Sequence, residues 1–281
     1  TENAVAEYET EISGYNVTNT HKIEKISVAV NKVWVDNNDQ DGIRPNAVTI
    51  KLLADGEDTG KTLVLNAGNN WTGSFTELAK FADGVEIAYS VEEVTVAGYE
   101  TEITGGQTDG YTVTNSHIPE TVEVSGSKTW NDNNNQDGVR PKSITINLVA
   151  DGEVIQTVSV TEEDGWSWSF ENLAKYKGQG IEIVYSITEN AVEDYSTEYN
   201  GYNVINTHAP AKTSVTVTKV WDDANNQDGI RPDPVTITLL ADGEDTGKTL
   251  ELNAGNNWTG SFADLDKFAG GKEIVYTVAE V

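Results

Sequence analysis

Along the whole chain, short runs alternate apolar and polar residues, and each run is bounded by glycine, asparagine or aspartate. The run that contains Val28, Val30, Lys32 and Trp34 places these four side chains on one face. A period of two marks a strand with one buried face. The same pattern predicts strands over 26–34, 46–54, 61–66, 70–75, 86–93 and 110–115, separated by turns such as Ala-Asp-Gly and Asn-Ala-Gly-Asn. Leu78-Ala79-Lys80-Phe81 reads as a single helical turn. Six or seven short strands in about 90 residues imply an all-β sandwich.

The pattern repeats. Lys32, Lys128 and Lys219 each stand two residues before a tryptophan, at spacings of 96 and 91 residues, the size of a small domain. LLADGEDTGKTLVLNAGNNWTGSF from Leu52 returns almost unchanged from Leu239, whereas the copy between them is more divergent. The tail of that middle copy, TENAVEDYSTEYNGYNVINTH from Thr188, matches the opening TENAVAEYETEISGYNVTNTH. The expected organisation is therefore a domain tail over 1–23, complete domains over 24–119 (type one) and 120–210 (type two), and a type-one domain over 211–281 without its last strand. This order reads as a window on an array that alternates two domain types.

Composition narrows the function. Eighteen Lys and Arg face 46 Asp and Glu, a formal net charge of -28. Such a surface repels nucleic acid and anionic membrane, so neither is expected as a partner. Cysteine is absent, so disulfides contribute nothing. There is no apolar run of membrane-spanning length. Nor is there a nucleophile-His-Asp arrangement or a phosphate loop, so no turnover enzyme and no cofactor are expected. The seven tryptophans fall among apolar strand positions and read as core.

Three polar residues recur where apolar ones belong. Lys32, Lys128 and Lys219 share parity with valines and tryptophan. Glu93, Glu189 and Glu280 close the runs Ile87-Tyr89-Val91, Ile183-Tyr185-Ile187 and Ile274-Tyr276-Val278. Asn115, Asn206 and, at the chain start, Asn19 each follow an inward Tyr and Val. Lysine to glutamate is 61 residues in all three copies. Glutamate to asparagine is 17 for Glu189–Asn206 and Glu2–Asn19, and 22 for Glu93–Asn115, where GGQTDG is inserted. A buried lysine must pair or become neutral. One reading is therefore a buried ion pair with an amide hydrogen bond. The other is chemical. A desolvated, neutral lysine can attack the asparagine carboxamide, while a protonated glutamate polarises the amide oxygen and passes protons to leaving ammonia. The product would be an isopeptide cross-link, formed once.

The pattern K-x-W-x-D-x2-N-x-Q-D-G-x-R-P, an ADG turn, a W-x-x-x-F strand, Y-x-V-x-E and a final V-x-N resembles the B-type repeats of collagen adhesins, the CnaB domains of Gram-positive surface stalks and pilins. The resemblance covers essentially the whole chain. It implies a reversed immunoglobulin-like, prealbumin-type β-sandwich and an isopeptide bond from a first-strand lysine to a last-strand asparagine. By that resemblance Lys32 joins Asn115 with Glu93 assisting, and Lys128 joins Asn206 with Glu189 assisting. Lys219 with Glu280 lacks a downstream asparagine, and Asn19 with Glu2 lacks an upstream lysine. The implied role is a structural stalk on the cell wall, carrying an adhesive head outside this chain that meets host extracellular matrix. The expected state is a monomeric extended array. The alternatives are that the repeats themselves bind matrix protein, or that copies join head to tail through Lys219 and Asn19.

The acidic runs DNNDQDGIRP from Asp36, DNNNQDGVRP from Asp132 and DANNQDGIRP from Asp223 suggest a calcium loop, with Asn37, Asp39 and Asp41 in ligand positions. The twelfth position holds Val48 instead of glutamate, and the third copy replaces the first ligand with Ala224. The run therefore reads as a structured Asx turn, with Arg44, Arg140 and Arg231 pairing with its aspartates, and the calcium candidate is weak. His21, His117 and His208, about one domain apart, read as linker residues and not as metal ligands.

Overall fold

The computed structural model describes residues Thr1–Val281. The chain opens with an antiparallel hairpin, β1 (Tyr8–Ser13) and β2 (Asn16–His21). The first repeat comprises β3 (Lys25–Val35), β4 (Ala47–Ala54), β5 (Glu57–Asn66), β6 (Thr72–Ala79), β7 (Phe81–Ala82), β8 (Val85–Glu86), β9 (Tyr89–Glu93), β10 (Glu100–Gly106) and β11 (Gly110–Ser116). Two sheets form, ordered β10-β11-β3-β6 and β5-β4-β9. Their inward residues meet in one core. Val28, Val30, Phe75, Leu78 and Val113 come from the first sheet, and Val48, Ile50, Leu52, Leu65, Tyr89 and Val91 from the second. β-branched residues dominate because they suit a pleated, half-buried surface.

Strand pairing places the three recurrent polar residues. The last strand, β11, runs parallel to the first, β3, with Val113 opposite Lys32 and Asn115 opposite Trp34. On the other sheet β9 pairs antiparallel with β4, which sets Glu93 opposite Ile50.

The second repeat comprises β12 (Thr121–Asn131), β13 (Ser143–Ala150), β14 (Glu153–Thr161), β15 (Ser167–Ala174), β16 (Tyr185–Glu189), β17 (Ser196–Asn200) and β18 (Asn203–Thr207). Its sheets are ordered β15-β12-β18-β17 and β14-β13-β16, and β18 again lies parallel to β12. The third comprises β19 (Lys212–Thr218), β20 (Val235–Ala241), β21 (Glu244–Leu252), β22 (Thr259–Asp266), β23 (Phe268–Ala269), β24 (Lys272–Glu273) and β25 (Tyr276–Glu280). There β19 pairs only with β22. Contacts divide the chain into two compact units: residues 1–122 with 172–183, and residues 123–171 with 184–281.

The predicted strands are present, with ends shifted by a few residues. The helical turn expected at 78–81 is not there. Leu78 and Ala79 end β6, and Phe81–Ala82 form a two-residue ladder with Val85–Glu86. Left-handed backbone at Glu77 and Asp83 (φ 58 and 49) cannot continue a right-handed helix. The short 3₁₀ turn is instead Ala67–Asn69, where Asn66 and Asn69 cap each other. β10 escaped the pattern reading because nearly all of its side chains are exposed.

Candidate functional site

Lys32 is carried on β3, Glu93 on β9 and Asn115 on β11, so three strands from two sheets converge between the layers. Lys32 Nζ lies 3.2 Å from Glu93 Oε1, with the two side chains 0 % and 1 % exposed. It also lies 3.3 Å from the Val113 carbonyl and 4.5 Å from the Trp34 ring centroid. Asn115 is fully buried, and its Nδ2 has no hydrogen-bond partner. The second repeat repeats the arrangement. Lys128 Nζ is 2.6 Å from Glu189 Oε1, both side chains are fully buried, and Asn206 has neither amide atom paired. A buried amide left unpaired costs about 1–3 kcal/mol, so a purely structural residue at this position would be unfavourable.

Burial is also what tunes the lysines. Desolvation pushes Lys32 and Lys128 below the ordinary lysine range, and the neighbouring glutamate opposes this without cancelling it. A lowered pKa is what makes an amine available as a nucleophile.

The acidic loop supports this site from behind. Asn37, Asn38 and Asp39 adopt left-handed backbone (φ 50, 60 and 61), and 133–135 and 224–226 do the same. Asn and Asp tolerate that region better than other side chains, which accounts for the amide-rich composition without a metal. Asp36 takes two hydrogen bonds from Arg44 and one from the Tyr99 hydroxyl. Tyr99 and Trp71 in turn pack edge-on against Trp34, the wall beside the lysine. Trp71 is itself left-handed (φ 59), an uncommon state for a bulky residue, and its carbonyl accepts the Lys32 amide hydrogen at 2.8 Å. Arg140–Asp132 and Arg231–Asp223 repeat the arginine clasp.

The weak calcium candidates have other duties. Asn37 donates to Gln40, Asp39 Oδ1 accepts the Arg44 amide, and Asp41 Oδ2 accepts from His117 Nε2 and the Glu120 amide, both at 2.8 Å. No group of three or more His, Asp or Glu residues is arranged to hold a metal. The linker histidines prove to be paired: His208 meets Asp137 as His117 meets Asp41. Gly42 lies so close to Gln179 and Gly180 that a Cβ would fall 2.5 Å from the Gly180 nitrogen, and the Asp39 and Gln40 carbonyls accept those two amides. Gly138 packs similarly on Gly271.

Two partial sites accompany the complete ones. Lys219 meets Glu280 at 2.8 Å, with the side chains 22 % and 46 % exposed. In the hairpin, Asn19 Nδ2 donates to Glu2 Oε1 at 3.0 Å. Sequence reasoning missed one group near every asparagine: a threonine on the neighbouring strand. Thr101 faces Asn115, Thr197 faces Asn206 and Thr10 faces Asn19. The signal was available in Y-x-T-E, E-D-Y-S-T-E and E-Y-E-T-E, but the strand that carries it had no apolar alternation to announce it.

Comparison with known proteins agrees with this architecture. The model of the Cna protein B-type domain matches residues 28–116, 124–207 and 215–281. The collagen adhesin of Staphylococcus aureus is 46 % identical over 282 residues, covering 100 % of this chain and 24 % of that protein, so the chain spans about a quarter of its relative. The crystal structure of two B repeat units (B1B2) of the S. aureus collagen binding protein aligns with a TM-score of 0.62 at 44 % identity, covering 99 % of this chain and 74 % of that one. Three tandem matches and a shared all-β fold place the chain in the Cna protein B-type domain family.

Proposed function

We propose that this chain is a set of structural stalk repeats of a Gram-positive surface adhesin, each complete domain closed by a Lys–Asn isopeptide bond: Lys32 to Asn115 and Lys128 to Asn206. The observation that carries the reading is a buried lysine–glutamate pair beside a strand that bears a buried asparagine with its Nδ2 unpartnered, in both complete repeats. In the proposed reaction the neutral Nζ attacks the amide carbon, a C–N bond forms, and Nδ2 departs as ammonia with one lysine proton carried by the glutamate. No turnover occurs, because the product is the folded chain itself.

Such a bond ties the first strand to the last across a parallel ladder, so tension would pass through a covalent bridge and not through the hydrogen bonds of β3 and β11. By analogy with a disulfide closing a loop of this length, it would contribute about 4–5 kcal/mol. The acidic surface would keep neighbouring stalks apart. Surface location and an adhesive head elsewhere in the protein are inferred from kinship with a collagen adhesin.

Intact-mass measurement of the purified chain tests this. The expected result is a deficit of two ammonia molecules, with full mass restored in Glu93→Ala plus Glu189→Ala. Full mass in the unaltered chain would leave only a buried ion pair.

A further inference from the structure

The threonine across from each asparagine has a place in this chemistry. Thr101 Oγ1 lies 2.9 Å from Glu93 Oε2 and 2.9 Å from Asn115 Oδ1, bridging the two groups. A hydroxyl has one hydrogen to donate, while an ionised carboxylate and an amide oxygen both only accept. Both contacts are hydrogen bonds when Glu93 carries a proton on Oε2. That proton then points to Thr101 Oγ1, and the Thr101 hydrogen points to Asn115 Oδ1. The hairpin shows the same orientation at its own asparagine. There Glu2 takes the hydrogen of Asn19 Nδ2, leaving Oδ1 to accept from Thr10 Oγ1 at 2.6 Å. The glutamate half of the bridge recurs in the second repeat, where Thr197 Oγ1 is 3.2 Å from Glu189 Oε2. Thus the Thr–Asn contact is seen twice, the Thr–Glu contact twice, and both together in repeat one.

We infer that Thr101 is a catalytic residue of cross-linking in the first repeat: its hydroxyl relays a proton from the glutamate to the amide oxygen as charge develops there. This rests on the isopeptide reading proposed above. As Lys32 Nζ bonds to the Asn115 carbon, the carbonyl electron pair moves onto Oδ1. The Thr101 hydrogen passes to that oxygen, and the Glu93 proton passes to Thr101. On collapse the hydroxyl proton returns by the same path. One Nζ proton crosses by way of Glu93 to Nδ2, and the C–Nδ2 bond breaks. The balance is amine plus carboxamide giving secondary amide plus ammonia, with Thr101 and Glu93 unchanged. Glu93 Oε1 faces Nζ and Oε2 faces Thr101, so a single carboxyl serves both proton paths.

The test is a time course on the full chain made by cell-free synthesis. Aliquots are quenched in acidic denaturant, and the fraction of each peptide pair linked is read by mass spectrometry. Lys128–Asn206 in the same molecule serves as the internal clock. Removing an oxyanion donor typically costs about 100-fold or more in rate. Thr101→Val and Thr101→Ala are therefore expected to slow the Lys32–Asn115 bond about 100-fold, while Thr101→Ser keeps a rate close to that of the unaltered chain. Using both Val and Ala keeps the result readable if one of them disturbs the strand. Equal rates for Thr, Val and Ala, or a Ser variant as slow as Ala, would overturn the relay and leave the bond itself intact. Absence of any linked peptide in the unaltered chain would instead overturn the isopeptide reading on which the relay depends.

Discussion

The first and third repeats share nearly the same sequence up to their glutamates, yet their lysines live in different surroundings. Lys32 and Glu93 are sealed from water, whereas Lys219 and Glu280 keep contact with it although their separation, 2.8 Å, is shorter than the 3.2 Å of the first pair. The same contrast runs through the strands. Val91 is 8 % exposed and its counterpart Val278 is 42 %. β3 extends eleven residues through Lys32 and Trp34, while β19 stops at Thr218, before Lys219. In the first repeat β11, paired with β10, lies beside the first strand on the edge away from β6, whereas in the third repeat β19 pairs only with β22. The lesson is that the lysine–glutamate pair forms without the closing hairpin, whereas its burial does not. The hairpin brings the asparagine, the threonine and the parallel ladder, and it shields the lysine–glutamate pair from water.

The strongest way to break this comparison is to complete the third repeat. Appending the sequence of residues 95–119 after Val281 places a β10–β11 hairpin behind Glu280, as Val94 onward comes after Glu93. The expected outcome is the loss of one further ammonia, joining Lys219 to the added asparagine. A version whose added asparagine is alanine should bury Lys219 and keep its mass. If the completed repeat folds and retains full mass, the hairpin is not sufficient for the reaction. The unaltered chain on a denaturing gel examines the head-to-tail alternative in the same series. A ladder of covalent multimers would mean that β1–β2 of one copy serves the third repeat of another through Asn19 and Lys219.

A smaller effect separates burial from chemistry. With Asn115 replaced by Ala, no bond can form in repeat one, and Lys32 is left paired with Glu93 alone. In that background Glu93→Gln strands a buried lysine and is expected to cost about 3–5 kcal/mol. Glu280→Gln, at a half-open pair, should cost no more than about 1 kcal/mol. Denaturant midpoints followed through the tryptophans of each repeat give the comparison. Similar losses at both positions would mean that the two sites are equally desolvated.

The sequence carried most of the site and less of its support. Lysine, glutamate and asparagine stood out because each interrupts an apolar parity, and constant spacing along the chain tied two of them together. Of the wall behind them, the pairing of Arg44 with a loop aspartate was legible from the acidic run, and the structure places it on Asp36. Tyr99 and Trp71 lie far from that loop along the chain, and no local pattern tied them to it. Thr101 sits on an edge strand whose exposed residues carry no periodic signal, so its hydroxyl was invisible until β10 was seen against β11. Short-range pattern reveals faces; it does not reveal which faces meet.

Acid should release the clasp. Burial alone would raise the Asp36 carboxyl, yet hydrogen bonds from Arg44, the Asp39 amide and Tyr99 bring it down to about 2. Because the folded value is depressed, the stabilisation is present above the unfolded carboxylate range near 4 and is lost as pH falls toward about 2. A shift of this size corresponds to about 2 kcal/mol. Arg44→Met should flatten this part of the stability-versus-pH curve, and an unchanged acid limb would remove the clasp from the account.

The mildest prediction concerns His117. The hydrogen bond to Asp41 raises its pKa above the ordinary histidine value, burial opposes, and the Gly98 carbonyl and the charge of Asp36 add to the rise. Its two ring nitrogens face a carbonyl at 2.9 Å and a carboxylate at 2.8 Å, and both are acceptors, so the imidazolium satisfies both. A raised folded value means that the stabilisation is complete below about 6.5 and is lost as pH rises through the folded pKa. Nuclear magnetic resonance of the His117 ring should therefore show a titration midpoint above that of a free histidine. Asp41→Asn should bring it down, with a smaller loss of stability than breaking the Asp36 clasp. A His117 that titrates identically with and without the Asp41 carboxylate would show that this latch contributes nothing to holding the loop.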